Sequence, residues 1–195
     1  MSAPTIYPSE SQILTAVRAF LIEIVPPGTQ VVRRGNRVPE PGSALYIVMT
    51  PLFGSRLETN TDQTVDANPS GSGNPSGTLA VGTPTQETVQ LDVHGPQEPI
   101  AGQPSAQSLA RTIESLFRDE WGANQFAASG FPVAPLYCDE ARQLPWSGDE
   151  QQVEQRWQMD LQLQMNYTVT TTQDFYVPPV KVGIINVDVV YPPGH

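Results

Sequence analysis

Between Trp157 and Val169 the sequence alternates without a break: Trp157, Met159, Leu161, Leu163, Met165, Tyr167 and Val169 hold the odd positions, and polar residues hold the even ones. Successive side chains of a strand point to opposite faces, so a period of two prescribes a strand with one buried face. At roughly 3.3 Å per residue, a strand of about fifteen residues spans about 50 Å, well beyond the usual five or six residues. Such a strand must bend or outrun the domain that covers it, and a second subunit is a natural cover for the overhang.

The remaining elements are shorter. Ser9 with Gln12 three residues on is a helix-start pattern, and Ile13, Val17, Phe20, Leu21 and Ile24 follow at helical spacing until Pro26-Pro27-Gly28 stops them. Residues 29–33 and 44–49 are β-prone and are separated by a turn-rich stretch. Residues 68–78, NPSGSGNPSGT, offer no apolar side chain to offset the entropy of ordering and predict a flexible tip between two β-like arms. Val89, Leu91 and Val93 predict a strand ending at Gly95-Pro96. Ser105 opens a second helix with Leu109, Ile113, Leu116 and Phe117 on one face, and Trp121 extends its apolar side. Residues 122–150 read as irregular, and 180–191 as a last strand. The expected architecture is a single α+β domain over 1–195: two helices packed on one face of a largely antiparallel sheet, with a long hairpin or loop arm at about 60–85.

Charge and motifs narrow the function. Ten Lys plus Arg against twenty Asp plus Glu give a formal net charge of -10. A chain that grips nucleic acid neutralises phosphates with clustered cations, and only Arg33, Arg34 and Arg37 are grouped, as a candidate contact to a neighbour or a DNA backbone. The single cysteine, Cys138, permits no intrachain disulfide, and the N-terminal segment predicts neither signal peptide nor membrane span. His94, His195 and Cys138 lack the short spacings of a metal or thiol site. Asp139-Glu140 and Asp149-Glu150 are the acid pairs from which a hydrolase reading would start, although solvated loop residues explain them as well. No phosphate-binding loop, nucleophile elbow or zinc-protease motif occurs, and no cofactor is expected.

Several ordered segments together resemble the neck, or tail terminator, family of tailed bacteriophages: VQLDVHGP at 89–96, ESLFRDEWGANQF at 114–126, APLYCDEARQLPW at 134–146, EQQVEQRWQMDLQLQMNYTVT at 150–170 and IINVDVV at 184–190. The resemblance implies a non-enzymatic virion protein at the head–tail junction, assembled in the host cytoplasm into a homo-oligomeric ring, usually a hexamer. It implies contacts to the tail tube protein, to the sheath where a tail has one, and to the head completion or connector proteins, with DNA passing through the channel without specific binding. Arg118, Asp119, Trp121, Pro135, Leu136, Tyr137, Arg142, Gln143, Leu144, Pro145, Glu150, Gln152, Arg156 and Trp157 carry over as positions that shape the fold or the ring. The family's aromatic residue is replaced by Val153, and the 68–78 loop is an addition to the shared pattern. Two other readings stay open on sequence alone: a different neck ring component, such as a collar or head-closure protein, and an acidic monomeric binding module.

Overall fold

The computed structural model describes residues 3–35, 44–66, 76–144 and 154–174. Residues 68–75 of the expected tip, the expected strand at 180–191, and the positions Arg37, Pro145, Asp149, Glu150 and His195 lie outside them, whereas the rest of the tip, 76–78, is the start of a strand and not a loop. In chain order the elements are β1 (Thr5–Tyr7), α1 (Glu10–Ile22), β2 (Gln30–Arg33), β3 (Tyr46–Arg56), β4 (Thr61–Asp66), β5 (Ser76–Pro96), α2 (Ala106–Phe117), α3 (Glu120–Ala128), β6 (Val133–Cys138), β7 (Arg142–Leu144) and β8 (Glu154–Asp174). The class is α+β, with the eight strands in one mixed, mostly antiparallel sheet.

The alternating segment is an interior strand of that sheet. β8 runs 21 residues and pairs antiparallel with β5 along its whole length, from Pro96↔Glu154 to Ser76↔Asp174, without a register shift. Its other side is taken by three short strands laid end to end: β7 against 156–158, β6 against 161–165 and β1 against 168–170. Beyond β5 come β3 and β4, also end to end, and β2 lies outermost, parallel to β3. The strand read at 150–170 offers no open edge over most of its length, because it is hydrogen-bonded on both sides.

The core lies between the odd-numbered face of β8 and the helices. Leu161, Leu163 and Met165 on β8, Leu91 and Val93 on β5 and Ile47 on β3 are fully buried, as are Val17, Leu21, Ile113 and Phe126 from the helices. Gln12 caps the start of α1 by accepting from the Ser9 amide at 2.7 Å, and Ser105 accepts from Ser108 N at 3.1 Å at the start of α2.

Three helices cover the sheet, not two, and the stretch read as irregular holds α3, β6 and β7. The apolar pattern through Trp121 looks continuous, but the chain breaks at Arg118 and restarts where the Asp119 side chain accepts from Trp121 N at 2.9 Å. Gly122 makes this corner possible, because a Cβ there would stand 2.2 Å from the Leu116 carbonyl oxygen. Phe20, Phe117 and Phe126, one from each helix, then meet with ring centroids 5.2 to 5.7 Å apart. Each such aromatic pair adds about 0.5–1.5 kcal/mol beyond its buried area.

Candidate functional site

The carried-over positions separate into two groups. Arg118, Asp119 and Trp121 build the α2–α3 corner: Arg118 donates to the Cys138 carbonyl, lies 3.8 Å from Glu114 and sits 4.8 Å above the Tyr137 ring, while Trp121 packs on Phe20 at 6.0 Å. Arg156 clamps Asp92 through Nε at 2.9 Å and Nη2 at 2.8 Å. Gln90 donates to the other carboxylate oxygen at 2.8 Å. Trp157 is buried against the core. Trp157 and Trp121 pack on the core, while the exposed Arg118 and Asp119 and the partly buried Arg156 hold the fold through their polar contacts.

Arg156 belongs to a polar row that sequence reasoning did not single out. Tyr46, His94 and Arg156 stand opposite one another on β3, β5 and β8. The Tyr46 ring stacks on His94 at 4.5 Å, its hydroxyl donates to Glu154 Oε2 at 3.2 Å, and His94 Nδ1 lies 3.3 Å from the same oxygen. Burial, then the Glu154 charge, pushes the Tyr46 phenol well above its ordinary value. Histidine at a position read as strand was the available signal; Tyr46 lay in a segment read only for its β propensity.

The outward group is smaller. Tyr137 and Leu136 on β6 are about half exposed. Arg142 on β7 lines a shallow cleft of about 80 Å³ with Asp139, Glu140, Gln158, Met159 and Asp160. That is well under the roughly 300 Å³ at which ligand pockets begin. Asp160 has its pKa raised by burial, then by the charges of Asp139 and Asp92. Cys138, the one thiol, is buried and pushed up to about 12 by desolvation and then by Glu114, the opposite of an activated nucleophile. Arg33 pairs with Glu10 at the start of α1, and the Arg34 amide donates to the Met49 carbonyl at 2.8 Å, which places both at the β2 margin. Among the described residues no group of three or more His, Cys, Asp or Glu converges to hold a metal. No described helix is long and apolar enough to cross a membrane.

What the surface does offer is apolar. Of the large hydrophobic side chains left exposed, Leu52, Phe53, Leu57 and Val65 lie on or beside β3 and β4, and Ile6, Tyr7, Leu136 and Tyr137 lie on β1 and β6. These are the two opposite margins of the sheet. From Asn166 onward β8 also runs past the buried core, pairing only with β5 and β1, while β4 pairs with β5 alongside. The result is a β-arm over residues 61–66, 76–84 and 166–174, in the place where sequence predicts an arm.

Residues 11–189 match the family model described as phage neck terminator protein. The chain belongs to the phage neck terminator family. No curated protein matches it. A neck terminator is a structural component of a phage particle that acts through contacts with other head or tail proteins, which implies a non-enzymatic chain.

Proposed function

We propose that the chain is the subunit of a closed ring, of six copies, at the head–tail junction. The ring ends the tail tube, joins it to the head connector proteins and leaves a channel for DNA. The observation that carries this reading is the arm. Nine residues of β8, 166–174, extend past the last fully buried core residue, Met165. Their partners on β5 include Leu79 and Val81, which are only partly covered. A ribbon without a core of its own is stabilised when a neighbour covers it, and repeated head-to-tail contacts close into a ring when the rotation permits.

The charge suits a channel. With a net charge of -10 the ring would not retain DNA, because it forgoes the counterion release that drives phosphate binding. Electron cryomicroscopy of purified virions tests the proposal. The expected result is a symmetric ring of this chain between head and tail; absence of the chain from the particle, or its presence only elsewhere in the particle, overturns it.

A further inference from the structure

The two apolar margins are related in a way that their residue lists alone do not reveal. β3 carries a bulge between Pro51 and Gly54, which leaves Leu52 and Phe53 together opposite Thr88. β6 carries a bulge between Pro135 and Tyr137, which turns out Leu136. Thr88 pairs with Gln162 on β8, and Gln162 pairs with Tyr137. Both bulges therefore stand on one row across the sheet, at its opposite ends, each presenting two large apolar side chains to the outside. Farther along β8, at 168 and 169, the two margins come level again: Tyr7 shares its row with Thr61, and Ile6 shares its row with Asp62. Leu57 and Val65 flank those rows on the β3–β4 side.

Bulges redirect side chains and interrupt edge pairing, so an isolated subunit with these margins is protected from indiscriminate strand addition while its apolar groups stay available. Strand direction is compatible as well. β3 runs with β8 and β6 runs against it, so a second copy set beside the first in the same orientation meets β3 with an antiparallel β6.

We infer that the Leu52–Phe53 bulge of one subunit docks on the Leu136–Tyr137 bulge of the next, with Leu57 and Val65 on β3–β4 closing against Ile6 and Tyr7. The occupant of each margin is a second copy of this chain, and the inference rests on the ring reading above, to which it adds the surfaces that meet. The area fits. At exposures between 42% and 69% the eight side chains leave roughly 800 Å² of apolar surface. An interface about 60% apolar would then cover about 1,300 Å², within the roughly 1,200–2,000 Å² of stable specific contacts. The contact is heterologous, one margin against the other, which is the type that builds rings.

The experiment is disulfide trapping in assembled particles. Phage are grown with a Cys138→Ala chain that also carries Phe53→Cys and Tyr137→Cys, and Leu52→Cys with Leu136→Cys serves as a second pair. A control places cysteines at Ile22 and Ile100, exposed apolar positions away from both margins. Virions are imaged, oxidised and run on a non-reducing gel. The expected result is a ring at the neck and a ladder of crosslinked multimers for either margin pair, with single-cysteine chains and the control remaining monomeric. A visible ring without a ladder for both pairs, or a ladder equally strong in the control, overturns this interface and leaves the ring reading standing. No ring in particles carrying the parent chain overturns both.

Discussion

One pair of strands, β5 and β8, serves two regions of opposite character. Over 85–96 and 154–165 the inward-facing side chains are large, and Leu91, Val93, Leu161, Leu163 and Met165 have no exposure at all. Over 76–84 and 166–174 the same unbroken ladder pairs Thr168, Thr170 and Thr172 with Gly82, Ala80 and Thr78, and Val169 with Val81, and none of these residues is fully buried. The near half is held by burial against helices. The far half is held by hydrogen bonds and β-branched geometry, which specify a strand without supplying a core. A continuous secondary-structure element is thus not a unit of stability.

The comparison is most sharply broken by Leu161→Ala in the near half. It should cost about 2–5 kcal/mol through lost burial and a cavity, lowering Tm by roughly 10 °C, whereas Val169→Ala in the far half should change stability by under about 1 kcal/mol. Equal losses in thermal unfolding would show that the arm has a core after all. Arg156→Ala should cost about 3 kcal/mol, because it strands the buried Asp92 carboxylate without its clamp. The double change Asp92→Asn with Arg156→Gln should recover part of that loss in urea unfolding.

Gly122→Ala tests the corner that seats the helices over the near half, and overpacking against the Leu116 carbonyl should cost about 1–3 kcal/mol. Ile6→Asp on β1 beside the arm should leave stability within about 0.5 kcal/mol of the parent yet reduce incorporation into particles, which quantitative gels of purified virions would read. The smallest effect concerns pH. Asp160 has its folded pKa raised above 3.8, so the folded chain binds more protons between that value and the raised one, and its contribution to stability falls as pH rises through this window. Asp160→Asn should therefore be slightly more stable than the parent at pH 7, with the difference fading as pH drops below 3.8. A difference that grows on acidification would reverse the sign and contradict the assignment.

Sequence legibility follows the same division. The near half of β8, the two long helices and the Ser9 cap are readable because each repeats a period that burial enforces. β1 is not, since three residues carry no period, and it becomes a strand only because β8 extends far enough to receive it. α3 hides because Asp119 and Gly122 make a corner inside an apolar pattern that looks continuous. The arm is announced by composition at 60–85, but its partner is not, because threonine-rich sequence gives no preference for one neighbouring strand over another. Among the carried-over positions, the type of residue already separated Trp157, at home in a core, from Tyr137. Nothing in the sequence links Arg156 to Asp92, and only the diagonal contact between β8 and β5 brings the two together.

The place of β8 also sets an order of events during synthesis. It is the last described element to leave the ribosome, and it joins β1, β6 and β7 on one side to β5 on the other. Until residues 154–174 emerge, the two margins with their bulges are not parts of one rigid body, and the row that aligns them does not exist. A truncated or stalled chain therefore lacks the spacing between margins that a neighbour must match. On the interface inferred above, competence to assemble arrives only with β8.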